Sequence, residues 1–205
     1  MQQAKAAGCS LLSLPECFDW IGTGPAAAKA IAQPLEGPLM ASYRALCIKH
    51  RLACAFGGFH EQPPEAGCDD RIQNTHVVVS SAGKVLAAYR KTHLFDVDIA
   101  DGIFLESSST RPGAAAVLLE LPSALSVGLT TCYDLRFPAL FGILRAAGAN
   151  LFLVPSAFMC RCVRVPCHCY LIDLGALVEM HWIDPLFSRA FSSLDSLRFS
   201  PAALA

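Results

Sequence analysis

The apolar residues of this chain fall into short runs of strand length separated by stretches of helical periodicity. No run reaches the roughly 18 uninterrupted apolar residues that a membrane-crossing helix needs. Strands alternating with helices imply an α/β sandwich. With 54% of its 205 residues hydrophobic and 16% charged, the chain can bury enough surface to exclude intrinsic disorder. Its length allows one domain, or at most two small ones. The 16 Lys and Arg are scattered and balance 17 Asp and Glu, so the basic patch of a nucleic-acid-binding protein is absent. No membrane partner is expected either. The N-terminal MQQAKAAGCSLLSLPE has no uninterrupted apolar segment of the secretory type, which sets the expectation of a cytoplasmic protein whose ten cysteines are thiols.

Along the chain, Ser10 to Pro15 reads as a buried strand ending at Glu16. After a loop rich in Gly, Ala and Pro, Pro38 occupies a helix-start position, with Leu39, Tyr43, Leu46, Cys47 and His50 on one helical face. Ala53 to Phe56 reads as a strand that stops at Gly57-Gly58. Ile72 to Ser80 and Val85 to Tyr89, joined through Ser81-Ala82-Gly83-Lys84, have the pattern of an antiparallel hairpin. Leu94 to Gly113 is polar and broken by Gly and Pro, and is predicted to be a long loop, functional or disordered. Ser126 to Thr131 is strand-like and leads into Cys132. A helix carrying Phe137, Leu140, Phe141 and Leu144 then ends at Gly148, before a strand from Asn150 to Val154.

Three of these residues carry chemistry. Cys132 stands between a strand and a helix, where free N–H groups and the helix dipole favour an anion, so its position predicts a lowered thiol pKa and a nucleophile. The alternative is a buried structural cysteine. Glu16 closes a strand, which brings its carboxylate to a sheet end, where sites on open α/β sheets gather. Lys91 follows another strand, and its ammonium suits a developing oxyanion. For Glu16 and Lys91 the alternative is a solvated surface charge.

Leu14-Pro15-Glu16, Tyr89-Arg90-Lys91-Thr92-His93-Leu94-Phe95-Asp96, Cys132-Tyr133-Asp134-Leu135-Arg136-Phe137-Pro138 and Pro155-Ser156-Ala157-Phe158, in this order, resemble the carbon–nitrogen hydrolase, or nitrilase, superfamily. The blocks from Lys91 to Asp98, from Leu105 to Ser107 and around Cys132 are most similar to its Nit branch, which includes the amidase acting on deaminated glutathione. The resemblance covers about residues 1 to 158. It implies a nitrilase-type α-β-β-α sandwich and a triad in which Glu16 is the general base, Cys132 the nucleophile and Lys91 an oxyanion donor together with the backbone N–H of Tyr133. Glu106 matches the family's second glutamate, with a supporting role in positioning substrate and Lys91. The implied reaction is hydrolysis of a small-molecule amide through a thioester, releasing ammonia, with deaminated glutathione the substrate to which the branch points. It calls for no cofactor and no metal. Carbamoylase or nitrilase chemistry on the same triad, and a catalytically inactive family member, are the alternatives.

Asp134 and Arg136 read as an ion pair that holds the cysteine turn in shape. His60, His76 and His93 lack metal-ligand spacing. At both ends the sequence departs from the family pattern, so the sandwich is expected to be incomplete there, with residues 1–158 a partial hydrolase domain and 159–205 a divergent tail that does not fold independently. In that tail Leu171, Leu174, Leu177 and Val178 have helical spacing and clear strand alternation is lacking. Cys160-Arg161-Cys162 with Cys167-His168-Cys169 matches zinc knuckles poorly, because structural sites favour CxxC pairs. A complete form is expected to be a soluble homo-oligomer, and the 205-residue form to be insoluble or inactive alone.

Overall fold

The computed structural model describes residues 1–21, 24–63, 69–99, 102–121, 125–157, 167–173 and 176–181, the last two segments as backbone. In chain order they form α1 (Gln2–Ala6), β1 (Leu11–Leu14), α2 (Pro25–Ile31), α3 (Pro38–His50), β2 (Ala53–Glu61), β3 (Gln73–Val79), β4 (Val85–Arg90), β5 (Asp96–Ile99), β6 (Gly102–Leu105), β7 (Val117–Leu121), β8 (Leu125–Leu129), α4 (Pro138–Ala146), β9 (Leu151–Ala157), β10 (Cys167–Asp173) and β11 (Ala176–His181). Short 3₁₀ helices occupy Glu106–Ser108 and Cys132–Arg136. One sheet has the order β1-β2-β3-β4 and a second the order β11-β10-β9-β8-β7, while β5 and β6 pair only with each other. β1 runs parallel to β2 and β8 parallel to β9, and the other pairs are antiparallel.

The two faces of β3 show how the layers are built. Val78 packs with Val127, Leu129 and Leu153 of the second sheet, whereas Val77 and Val79 pack with Phe56 and with Met40 and Cys47 of α3. That is the period-two alternation of a strand with both faces covered. On the outer side of the second sheet, Leu140, Phe141 and Leu144 of α4 join the same cluster as Phe152. Helix, sheet, sheet and helix therefore stack in that order, as the α-β-β-α expectation requires. Burying each large side chain in these layers contributes about 1.5–3 kcal/mol.

Several local expectations are corrected. β2 does not stop at Gly57-Gly58 but continues to Glu61, with its register against β3 shifted between Phe56 and Phe59. The glycines make a bulge, which bends a strand without ending it. α3 starts at Pro38 as expected, but its buried stripe is centred on Met40 and Cys47, about two turns apart, and Leu46 is 39% exposed. Leu94 to Gly113 is not a structureless loop, since it contains the β5–β6 hairpin and the first 3₁₀ helix. Strands of four residues are too short to show a period against a polar background.

The helical spacing in the tail is overturned as well. Leu171 lies in β10 opposite Val178 of β11, and Ile172 lies opposite Leu177. β10 also pairs with β9 from Cys167↔Ala157 to Asp173↔Leu151. A short apolar run fits helical and strand spacing alike, and the pairing with β9 and β11 decides between them. Leu174, Cys160, Cys162 and the side chains of Cys167 and Cys169 lie outside the described residues, and the zinc question lies there with them. Among the described residues no helix is long and apolar enough to cross a membrane, and Cys9, Cys17, Cys47 and Cys132 are thiols.

Candidate active site

Glu16 follows β1 and is 4% exposed. Its place depends on the glycine bulge. A Cβ on Gly57 would overlap the Pro155 ring and lie 2.7 Å from the Leu14 carbonyl oxygen, so β1, β2 and β9 meet there with no room for a side chain. Gly58 has φ +71°, and a Cβ on it would sit 2.8 Å from the Cys17 nitrogen and 2.9 Å from Glu16 Cγ. The bulge thus opens the space that the Glu16 side chain fills.

Lys91 continues from β4, and its main chain is anchored on both sides. Its N–H donates to the Asn74 carbonyl at 2.9 Å, and its own carbonyl accepts from Gly113 at 2.8 Å. The buried ammonium donates to Glu16 Oε1 at 3.0 Å and to Glu106 Oε2 at 2.9 Å. Glu106 opens its 3₁₀ helix, and the same Oε2 accepts the Phe95 N–H at 2.6 Å.

Cys132 is the first residue of the second 3₁₀ helix and has φ +46°, a left-handed conformation that L side chains rarely adopt. Its Sγ lies 3.8 Å from the Ala157 carbonyl oxygen and interacts with the Glu16 carboxylate. The Ala157 N–H donates to Glu16 Oε2 at 3.0 Å, so one residue at the end of β9 touches both groups, through its N–H and its carbonyl. Tyr133 lies in the first turn of this helix, where N–H groups have no intrahelical acceptor. Its ring packs edge-on against Phe95 and Phe137.

The electrostatics follow from burial and pairing. Burial alone would raise the Glu16 carboxyl, but the Lys91 ammonium beside it, aided by hydrogen bonds from Lys91, Cys132 and Asn74, brings it below its ordinary value. Burial alone would lower Lys91, but Glu16 and Glu106 outweigh it and hold the ammonium charged. Burial pushes the Cys132 thiol well up, and the Glu16 charge adds to this. The lowered thiol pKa expected from the helix start is therefore overturned: a single 3₁₀ turn supplies too little field to offset burial beside an anion. The resting site holds a carboxylate, an ammonium and a protonated thiol.

The Asp134–Arg136 ion pair is not formed. Asp134 is fully buried, and Oδ2 accepts from Tyr89 Oη at 2.7 Å and the Thr131 N–H at 2.8 Å. Oδ1 accepts from Thr92 Oγ1 and the His93 N–H, both at 3.2 Å, and lies 2.7 Å from His93 Nδ1. Arg136 is exposed. Residues two apart do not face each other on a helical turn, so Asp134 instead joins the segment after Lys91 to the turn bearing Cys132. His93 also stacks on Phe137 with ring centroids 3.8 Å apart. His60 is held by Asp19, with Nδ1 2.7 Å from Oδ1, and His76 by the Thr130 carbonyl at 3.0 Å.

Sequence reasoning missed Asn74. Its Nδ2 donates to Glu16 Oε1 at 2.9 Å and to Glu106 Oε1 at 3.3 Å. The available signal was its place in the hairpin two residues before His76, on the inter-sheet face. A cavity of ≈ 1090 Å³ opens over the cluster, lined by Glu16, Asn74, Lys91, Glu106 and Cys132 together with Trp20 and Phe104.

Comparison with known proteins bears on this geometry. A family model described as carbon-nitrogen hydrolase matches residues 1–172. The deaminated glutathione amidases of Mus musculus and Homo sapiens are each 41% identical over 159 residues, or 77% of this chain and 49% of theirs. The chain thus spans about half the length of the curated relatives it matches. The crystal structure of the C. elegans NitFhit protein superposes with TM-score 0.71 at 25% identity, covering 96% of this chain and 57% of that one. A mutant amidase from Nesterenkonia sp. AN1, in which acrylamide has added to the active-site cysteine, superposes with TM-score 0.62 at 25% identity over 77% of this chain and 57% of that one.

Proposed function

The chain belongs to the carbon–nitrogen hydrolase family, and from that premise we propose that it hydrolyses a small-molecule amide through Cys132, Glu16 and Lys91. One observation carries the reading. A buried carboxylate paired with a buried ammonium at 3.0 Å also interacts with a protonated thiol, at the floor of a large cavity. In this sequence of steps Glu16 takes the thiol proton as Sγ attacks the amide carbon, so the sulfur is nucleophilic only while the base is engaged. Lys91 Nζ and the Tyr133 N–H hold the tetrahedral oxyanion. Glu16 returns its proton to the departing nitrogen, ammonia leaves, and a thioester remains. Glu16 then accepts a proton from water, whose oxygen attacks the thioester; the acid product leaves and the thiol is restored. Glu106 fixes Lys91 from the far side.

The deaminated glutathione amidases among the relatives supply the substrate class: the side-chain amide of deaminated glutathione. The cavity is of a size that encloses drug-sized ligands. The test is to incubate the 205-residue chain, and beside it a form extended to the length of its relatives, with deaminated glutathione and follow ammonia release and the mass of the acid product. Turnover that disappears in Cys132→Ala, with an acyl adduct on Cys132 in acid-quenched enzyme, is the expected result. Turnover retained by Cys132→Ala would overturn it.

A further inference from the structure

Among the described residues, Asn74 is the polar side chain besides Lys91 itself that touches both carboxylates. Its Nδ2 spans Glu16 Oε1 and Glu106 Oε1, and its main-chain carbonyl accepts the Lys91 N–H at 2.9 Å. A single residue of β3 therefore contacts all three members of the charge cluster, two through its side chain and one through its backbone. The other end of the amide supports this reading. Asn74 Oδ1 is buried and has no hydrogen-bond partner among the described residues. It faces the bulge, where a Cβ on Gly58 would lie 3.0 Å from it. Turning the amide over would point that oxygen at two carboxylates and is excluded by repulsion, so the side chain leaves one acceptor unmet and spends its donors on the acids.

We propose that Asn74 is a positioning residue that clamps the Glu16 and Glu106 carboxylates about the Lys91 ammonium and so aims Glu16 at Cys132. The assignment rests on the amidase reading of the site, yet it concerns the geometry of the base and not the identity of the substrate. Two acids beside one cation carry a net negative charge, and they repel. A bridging NH₂ group satisfies one lone pair on each and sets their separation. Removing it takes a hydrogen bond from the ionised form of Glu16, which raises the proton affinity of the base and frees its rotamer.

The experiment reads Cys132 directly. Wild type, Asn74→Ala and Asn74→Asp are treated with iodoacetamide in short pulses between about pH 2.5 and 9, a range that extends below the ordinary carboxylate value, and modification of Cys132 is quantified by peptide mass spectrometry beside amide turnover. Circular dichroism and a thermal melt establish that each variant is folded. Loss of one hydrogen bond to a charged group corresponds to an acid limb displaced upward by about one pH unit in Asn74→Ala, and so to about tenfold slower Cys132 alkylation at pH values below both limbs. Asn74→Asp, which sets a third carboxylate beside the first two, should show a larger displacement. A merely structural role would lower the melting temperature and leave the acid limb in place. An unchanged alkylation profile in both folded variants would overturn the proposal. If wild type shows a Glu16-dependent alkylation limb that Asn74 variants displace, yet no amide turnover, the functional reading fails and the positioning role stands.

Discussion

Lys91 Nζ stands 3.0 Å from Glu16 Oε1 across 75 residues of chain, with the side chains 2% and 5% exposed. A buried pair this enclosed adds little net stability, because desolvation offsets the attraction, but removing one partner strands the other charge. The pair is therefore better understood as fixing the charge of Glu16 than as holding the fold.

Lys91→Met makes that distinction measurable. Burial is the largest influence on Glu16 and acts upward; the Lys91 charge is what reverses it. Without that charge the carboxyl should rise above its ordinary value. In wild type, Glu16 is ionised from below its ordinary value upward, so the proposed base is ready throughout the neutral range. On the proposed mechanism, in Lys91→Met the acid limb of turnover should move to higher pH, and kcat should fall by about 10²-fold or more as the proposed oxyanion donor is lost. The linked stability has the same sign: the contribution of Glu16 is present above its unfolded value and lost as pH falls through the folded one. An acid limb that stays in place would contradict the pairing.

Asp134 and Arg136 separate a buried hub from an exposed neighbour. Asp134→Ala leaves the Tyr89 hydroxyl, the Thr131 N–H and the His93 groups without their acceptor, and should cost about 3 kcal/mol or more in urea unfolding. Arg136→Ala, at an exposed position, should stay within about 0.5 kcal/mol. Equal effects from the two substitutions would restore the ion pair that the structure removes.

That contrast also shows what a sequence can and cannot convey. Glu16, Lys91 and Cys132 were legible because each sits in a compact motif at a strand or turn end, where residue type and local position coincide, whereas Glu106, in a segment that reads as a loop, was singled out by the resemblance alone. The hairpin from β3 to β4 was legible from alternation around a glycine turn. Asn74 was not, since its meaning comes from two carboxylates, 58 and 32 residues away, that only the tertiary fold brings together. Gly57-Gly58 was misread because a glycine pair marks a stop and a bulge equally well, and only the closeness of Pro155 and Leu14 decides between them. The charge state of Cys132 turned on burial, which no local pattern records.

His76 supplies a pH dependence unconnected with turnover. It is fully buried, and burial lowers it from its ordinary 6.5 to about 4, against smaller upward pulls from the Thr130 carbonyl and Asp134. The unfolded chain then binds the proton more readily than the folded one between these values, so stability rises with pH across that window and falls as pH drops from 6.5 toward 4. His76→Gln should flatten the slope of unfolding free energy between pH 6.5 and 4. A slope identical to wild type would show that His76 does not carry it.

Two glycines, finally, should respond to the same substitution with opposite signs. At Gly57 an added methyl group meets the Pro155 ring and the Leu14 carbonyl, both parts of strands that cannot withdraw without separating β1 or β9 from β2. Overpacking of this kind costs about 1–3 kcal/mol. Because Glu16 follows β1 and takes its hydrogen bond from Ala157 at the end of β9, Gly57→Ala should also depress turnover in the fraction that remains folded. Gly142 lies inside α4, where a Cβ has nothing within 4 Å. There alanine restricts the unfolded chain and favours the helix, so Gly142→Ala should stabilise by about 0.5–1 kcal/mol and leave turnover unchanged. Thermal melts and kcat of the two variants beside wild type decide the matter; a tolerated methyl at Gly57 would mean that the three strands do not meet there as closely as described.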